Sequence, residues 1–93
     1  MLTFTTRFTV KVGQEQDFER IMSIVVPKIR EEPGNQTYIC HRSMQDPRVF
    51  MVYEEYDDQA ALEAHRAHLH VMGLDLRAML DGPPLVEFYE KLA

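Results

Sequence analysis

The sequence has few of the residues that mark a disulfide, a metal centre or a membrane segment. It contains one cysteine, Cys40, and no tryptophan among 93 residues. A single cysteine cannot close an intramolecular disulfide or complete a Cys/His zinc motif. No window approaches the roughly 18 consecutive apolar residues of a membrane-spanning helix, and the N-terminus lacks the basic start and apolar centre of a signal peptide. We therefore expect a cytoplasmic protein with no membrane partner.

Sequence motifs for nucleotide binding and hydrolysis are absent too. The chain has no phosphate-binding glycine loop, no GxSxG, no HExxH and no dinucleotide-binding fingerprint. Its 10 basic residues are scattered and outnumbered by 15 acidic ones, giving a net charge of −5. Nucleic acid is therefore not an expected partner, because a nucleic-acid site needs clustered positive charge.

The length predicts a single domain over residues 1–93 that gains stability from association. A chain this short buries only roughly 60 to 65 % of the surface that its unfolded form exposes. Burial of surface against a second copy of the chain would add to the stability of the fold, so homo-oligomerisation is favoured.

Hydrophobic periodicity predicts two helices and four strands in the order βαββαβ. This is the ferredoxin-like α+β arrangement, with a four-stranded antiparallel sheet and helices on one face. Pro27 lies inside the first helical stretch and is expected to kink that helix or end its regular part early. The predicted ranges are strand 2–12, helix 14–32, strands 37–44 and 49–56, helix 58–70, a short helical piece 72–80, and strand 85–91.

The third predicted strand is apolar on both faces. Val49, Met51 and Tyr53 alternate along one face, whereas the other carries Phe50, Val52 and Tyr56. A strand that is apolar on both sides is typical of a sheet covered twice. We expect helices on one face and the sheet of a partner subunit on the other.

The histidines are the main candidates for chemistry. His65, His68 and His70 are close in sequence, but His70 points away from the other two on a regular helix, and no carboxylate at fixed spacing completes a ligand set. We therefore expect no metal site. His65 falls on the buried stripe of the second helix, where an imidazole must be hydrogen-bonded or face a cavity, and the sequence leaves both possibilities open.

Several segments together resemble the antibiotic biosynthesis monooxygenase (ABM) domain. They are the run Glu31 to Tyr38 with its Glu-Pro-Gly turn, Asp46-Pro47, the run Tyr53 to His65, and His70 five residues later. The resemblance implies a dimeric α/β barrel, in which two ferredoxin-like protomers join through their sheets as a homodimer.

The resemblance also implies a function, with alternatives. It suggests a cofactor-independent monooxygenase that oxidises a small phenolic, hydroquinone or polycyclic aromatic substrate with O2. The alternatives are an isomerase of small molecules and a non-catalytic dimeric ligand-binding or stress module. The haem-degrading members of the family resemble one another in a constellation of Asn, Trp and His. Haem degradation is disfavoured here, because the chain has no tryptophan and its only asparagine, Asn35, is expected in a turn.

Candidate site residues follow from the oxygenase interpretation. A base must remove the substrate's phenolic proton, and an unperturbed histidine pKa near 6.5 suits that task. His65 is the expected catalytic base or proton shuttle, and His70 is a second candidate at the pocket rim. The expected substrate-binding residues are Tyr38, Tyr53, Glu54, Tyr56 and Met72, although the tyrosines could equally be amphipathic sheet residues and Met72 core filling. No cofactor is expected.

Overall fold

The computed structural model describes all 93 residues, and the order of its elements confirms the predicted α+β, ferredoxin-like fold. Three residues, Arg77–Met79, form a single 3-10 turn before the last strand. The elements are β1 (Leu2–Thr9), α1 (Glu15–Arg30), β2 (Asn35–Arg42), β3 (Val49–Tyr56), α2 (Gln59–Val71) and β4 (Leu85–Tyr89).

The four strands form one antiparallel sheet in the order β2-β3-β1-β4. Both helices lie on one face of it, so alternate side chains of the central strands enter the core. Phe18 of α1 packs between Phe8 and Phe50, with ring centroids 5.4 and 4.6 Å away. Neither helix is long and apolar enough to cross a membrane.

Several details differ from the sequence prediction. β2 covers Asn35–Arg42 instead of 37–44, so Asn35, which was expected in a turn, begins the strand, and β4 ends at Tyr89 instead of residue 91. β1 ends at Thr9, because Val10 pairs only in an isolated bridge with Leu80. Of the two effects predicted for Pro27, a kink or an early end of the regular helix, the early end is wrong, since α1 continues to Arg30. The predicted helical piece over 72–80 is also wrong beyond its single 3-10 turn, because Gly73 has a φ of +67° that ends α2; this left-handed conformation suits glycine.

The second face of the sheet has no helix over it. Tyr53 of β3 pairs there with Thr5 and Ile39 of the neighbouring strands. Strand β4 is exposed on both sides, with Leu85 at 63 % and Phe88 at 53 % exposure. The predicted apolar character of both faces of β3 is therefore confirmed, and one of those faces is bare in the single chain.

Candidate functional site

Helix α2 carries His65 into the interior. The helix begins at Asp58, whose side chain accepts a hydrogen bond from the backbone N–H of Ala61 at 2.9 Å, as is usual for an N-cap aspartate. Leu62 and His65 are the fully buried residues of this helix and follow one another at helical spacing. Only 5 % of His65 is exposed, so the ring nitrogen that carries the proton must find a partner inside the protein.

Glu32 provides one partner and binds a second histidine as well. The His65 Nδ1 atom lies 3.0 and 3.1 Å from the two carboxylate oxygens of Glu32. The Nδ1 atom of His68 lies 2.6 Å from Oε2 of the same carboxylate. Glu32 follows the end of α1, so this contact joins the end of α1 to α2. Because a carboxylate only accepts hydrogen bonds, it favours the tautomer of His65 with a proton on Nδ1.

Glu54 lies on the other side of the His65 ring. It projects from β3 toward the helices and is 4 % exposed. Thr6 donates a hydrogen bond to its Oε2 at 2.8 Å, and the Tyr56 hydroxyl donates to its Oε1 at 3.1 Å. The same Oε1 lies 3.8 Å from Nε2 of His65, which is too long for a hydrogen bond. Burial raises the pKa of Glu54 to about 7, although both donated hydrogen bonds oppose that rise.

Two tyrosine rings enclose the imidazole. The ring centroids of Tyr38 and Tyr56 lie 5.8 and 5.0 Å from that of His65. Burial, followed by the charge of Glu54, raises the pKa of both phenols. We call this group the His65 cluster, and its members are Thr6, Glu32, Tyr38, Glu54, Tyr56, His65 and His68.

Burial also determines the charge state of His65. It lowers the pKa of the imidazole, and the nearby Glu32 carboxylate opposes this only in part. His65 is therefore neutral at pH 7, with Nδ1–H directed at Glu32. Its Nε2 atom is then an unprotonated acceptor without a hydrogen-bond partner, as a general base requires.

A cleft of about 590 Å³ lies beside the cluster, between the C-terminal part of α2, the segment that follows it and the sheet. Tyr38 is the only cluster residue that lines the cleft, and His70 lines it from α2. The Tyr38 hydroxyl has no hydrogen-bond partner in the protein, yet no fully buried side-chain oxygen or nitrogen lacks one. That hydroxyl therefore keeps contact with open space, although only 6 % of Tyr38 is exposed.

A second cavity, of about 620 Å³, lies between the end of α1 and α2, and we call it the α1–α2 groove. Glu32 and His68 of the His65 cluster line it, together with Met72 and Lys28. The cluster thus borders one cavity through Tyr38 and the other through Glu32 and His68.

The structure separates the residues that the sequence proposed together. His65, Tyr38, Glu54 and Tyr56 share the His65 cluster, whereas His70 lies at the cleft. Met72 lies in the α1–α2 groove, as does His68. Tyr53 projects from the opposite face of the sheet and does not join either cavity. His65 lines neither cavity and is held by polar contacts in the interior.

Three members of the cluster were missed by sequence reasoning. Glu32 was assigned only to the turn that ends the first helix, and His68 was weighed only as a metal ligand. Thr6 carried a usable signal, because it shares strand parity with the buried Phe4 and Phe8. No group of three or more His, Cys, Asp and Glu side chains is arranged to hold a metal ion.

Comparison with known proteins places the chain among a set of related small proteins. A family model described as antibiotic biosynthesis monooxygenase matches residues 1–72. The crystal structure of PA3566 from Pseudomonas aeruginosa is 28 % identical, with a TM-score of 0.88 over 99 % of this chain and 94 % of that one. No curated protein matches the chain.

Two further structures share the fold at lower identity. A Nitrosomonas europaea protein is 22 % identical, with a TM-score of 0.91 over 100 % of both chains. A structure named antibiotic biosynthesis monooxygenase is also 22 % identical, with a TM-score of 0.85 over 100 % of both chains.

Proposed function

The chain belongs to the antibiotic biosynthesis monooxygenase family, and we propose that it is a cofactor-independent monooxygenase. Its substrate is a small phenolic, hydroquinone or polycyclic aromatic compound, and its oxidant is O2. The observation that carries this proposal is the hydrogen bond that Nδ1 of His65 donates to Glu32, with the Nε2 atom of the same ring left without a partner.

The pair of Glu32 and His65 suits the removal of a phenolic proton. The carboxylate holds the ring and fixes its tautomer, as a carboxylate does for the base in hydrolytic triads. When Nε2 accepts the proton, the resulting imidazolium lies between Glu32 and Glu54, whose carboxyl oxygens are 3.0 and 3.8 Å from its two nitrogens. Glu32 thus supplies negative charge when the ring becomes protonated, and Glu54, whose pKa burial raises to about 7, adds to it in its ionised form.

The substrate supplies all the electrons in this reaction. Loss of its proton gives an electron-rich phenolate, which passes one electron to O2; the two radicals then combine to form a carbon–oxygen bond. Cleavage of the O–O bond in the hydroperoxide gives a carbonyl and one water, for which the imidazolium returns the proton. A hydroquinone and O2 thus yield a hydroxyquinone and water.

Tyr38 connects the substrate with the base. It lines the cleft and lies against the His65 ring, and its hydroxyl is free to bind an oxygen of the substrate and to accept the substrate's proton while giving its own to Nε2 of His65. Leu69, Leu80 and Phe8 line the same cleft and suit an aromatic ring. His70 lies at the cleft wall and serves as a secondary polar contact in this proposal.

The bare face of the sheet supports a homodimer. It displays apolar side chains of all but one strand, among them Ile39, Met51, Tyr53 and Leu85, without a covering layer. Arg7 of β1 lies between Met51 and Leu85 on this face, so the apolar side chains are interrupted by polar ones. An uncovered surface with this many apolar side chains is usually an interface. We propose that a second copy packs its own sheet against this face and completes a dimeric α/β barrel.

Oxygen uptake tests the proposed function. Purified protein, freed of metals, is incubated with hydroquinones, naphthohydroquinones and anthrones, and uptake is corrected for autoxidation. We expect protein-dependent uptake that is lost in His65→Ala and retained in His41→Ala, since His41 lies exposed on β2. In a plot of the rate against pH, the decline on the acid side should lie below pH 6.5, because burial lowers the pKa of His65.

Two outcomes would contradict the proposal. Equal uptake by His65→Ala, with the dimer and the fold intact, would remove His65 as the base. No uptake with any member of the panel would favour an isomerase, which moves a proton between adjacent carbons without consuming oxygen, or a ligand-binding module.

A further inference from the structure

We infer that Glu32 and His68 form a proton-transfer path between His65 in the interior and solvent in the α1–α2 groove. The inference rests on the proposed function in one respect, since a base that has taken a proton from a substrate must be able to lose it to solvent when that substrate leaves before the proton is returned. The path itself is a property of the resting protein, so it can be tested without substrate.

The side chains of four residues form a continuous series in which a polar atom of each lies within 3.8 Å of the next, in the order Glu54, His65, Glu32 and His68. Nε2 of His65 lies 3.8 Å from Oε1 of Glu54, and Nδ1 of the same ring lies 3.1 Å from Oε2 of Glu32. The same Oε2 atom lies 2.6 Å from Nδ1 of His68. One oxygen is therefore within hydrogen-bond distance of both imidazoles, so a proton can change partners there by a small rotation.

Exposure rises in the same direction. The side chains of Glu54 and His65 are each 5 % exposed, that of Glu32 is 11 % exposed, and that of His68 is 34 % exposed. The last member borders the α1–α2 groove, which is open to solvent. A purely structural clamp between α1 and α2 needs only one of the two histidines, whereas a path to solvent needs both.

The proton steps balance without any other reactant. Protonated His65 gives its Nδ1 proton to Oε2 of Glu32, which becomes a neutral carboxyl group. That group passes the proton to Nδ1 of His68 when the partly exposed ring has reached its Nε2–H tautomer by exchange with water, and the resulting imidazolium releases its Nε2 proton to water. One proton has then moved from His65 to solvent, which leaves His65 as its Nε2–H tautomer and His68 as its Nδ1–H tautomer. The same steps in reverse return a proton to Nδ1 of His65, and the ring regains its resting tautomer when Nε2 gives up its own proton.

The surrounding groups offer no easier route. Tyr38 and Tyr56, from β2 and β3, flank the imidazole, but burial raises the pKa of each phenol, so neither ionises near neutral pH, and neither lines the α1–α2 groove. Thr6 of β1 donates to Glu54. The remaining charged groups nearby are Arg66 on α2 and, at the groove, Lys28 and Glu31 of α1 and its end.

Proton exchange at the His65 ring tests the path directly. The rate at which the Nδ1 proton of His65 exchanges with water is measured by NMR on the full chain with nitrogen-labelled histidine. We expect His68→Ala to slow that exchange by about tenfold or more, because a positioned proton-transfer group contributes roughly 10²- to 10⁴-fold. Glu63→Gln and His41→Asn are matched controls, since both residues are exposed and lie outside the cluster.

Added imidazole separates a proton path from a structural contact. His68 is partly exposed, so free imidazole can occupy the space left in His68→Ala and restore exchange at His65 as its concentration rises. A structural contact would not be restored in this way. His68→Asn, which keeps a hydrogen-bonding side chain without a titratable ring, should be as slow as His68→Ala and is the second variant if the alanine variant does not fold.

An unchanged or faster exchange rate in the folded His68 variants would overturn the inference, as would failure of imidazole to restore a slowed rate. Neither outcome depends on oxygen uptake. If the wild-type protein consumes no oxygen but its exchange responds to His68→Ala and to imidazole, the path stands and the oxygenase proposal alone fails.

Discussion

At the scale of single residues, Glu54 is the carboxyl group that the fold stabilises least in its charged form. Burial raises its pKa from 4.5 to about 7. The folded protein therefore holds a proton there more tightly than the unfolded chain, so the contribution of Glu54 to stability is fully present below pH 4.5 and is lost as the pH rises toward 7. Because one pKa unit corresponds to about 1.4 kcal/mol, the whole loss amounts to roughly 3 kcal/mol.

The variant Glu54→Gln should remove this pH dependence. Denaturant unfolding at pH 5 and pH 8 is expected to show that the variant gains stability relative to wild type as the pH rises. Glu55→Gln is a close control, because Glu55 is the next residue of β3 but lies on the other face, where Thr37 donates to it at 2.7 Å. Equal pH dependence in wild type and Glu54→Gln would show that Glu54 keeps an ordinary pKa.

Removal of the hydroxyl group is expected to have different effects at the two tyrosines of the His65 cluster. Tyr38→Phe should leave the free energy of unfolding within about 0.5 kcal/mol of wild type, since its hydroxyl has no protein partner. It should lower kcat/KM about five- to tenfold, which corresponds to one substrate hydrogen bond of about 1 kcal/mol.

Tyr56→Phe is the matched comparison. Its hydroxyl donates to the buried Glu54 at 3.1 Å, so its loss should destabilise the fold by about 1 to 3 kcal/mol. Urea unfolding and oxygen uptake, measured on both variants, check the pair. The expectation for Tyr38 is wrong if Tyr38→Phe loses stability and keeps full activity.

Sequence reasoning could identify part of the site at this scale. Helical spacing placed His65 on a buried stripe, and strand parity separates Glu54 and Tyr56 from Tyr53. Spacing could not pair His65 with Glu32, because 33 residues separate them and the contact depends on how the turn after α1 meets α2. For the same reason, it could not assign His70 and Met72 to different cavities.

At the scale of elements, Gly34 is where the turn after α1 meets α2. A Cβ atom added at Gly34 would lie 2.3 Å from the Cβ of Ala61, which no packing tolerates. The backbone carbonyl of Gly34 also accepts a hydrogen bond from the N–H of Asp57 at 3.0 Å, so the turn cannot move freely away. Glu32 lies two residues before this contact, and its position against His65 depends on the same approach.

Gly34→Ala should therefore destabilise the protein by about 1 to 3 kcal/mol, as overpacking of a tight contact does. Adding Ala61→Gly removes the clashing methyl group and should recover part of the loss, beyond what the cost of a glycine in a helix predicts. A double-mutant cycle by chemical unfolding measures this coupling. Purely additive effects would mean that the two residues do not touch.

Elements were largely predictable because each carries its own local signal. Polar and apolar residues alternate over β1 and β3, and apolar residues recur every three or four positions over both helices. These patterns predicted the type and order of the elements. The helix predicted after Gly73 was wrong, because Leu76 and Leu80 continue the apolar spacing of α2 in the sequence although the chain has already turned at the glycine. Leu80 instead packs in the core beside Val10.

At the scale of the whole molecule, the bare sheet face decides whether the chain acts alone. Tyr53 lies on the central strand β3, between Thr5 and Ile39 on the neighbouring strands. In the proposed dimer this position is buried, so Tyr53→Glu would place a charge without a partner in the interface. Such a charge costs about 3 to 5 kcal/mol, which weakens the dissociation constant by roughly 100-fold or more.

Light scattering coupled to gel filtration, over a dilution series, measures that change. Met44→Glu is the control, because Met44 is 97 % exposed in the turn between β2 and β3 and lies off the sheet face. We expect wild type and Met44→Glu to be dimers and Tyr53→Glu to dissociate on dilution. A wild-type monomer would rule out the sheet-to-sheet dimer, whereas a Tyr53→Glu dimer as tight as wild type would mean that the interface lies elsewhere.

Oxygen uptake by Tyr53→Glu separates assembly from chemistry, because Tyr53 lies on the opposite face of the sheet from His65. A folded Tyr53→Glu monomer with full oxygen uptake would mean that one chain holds the complete site.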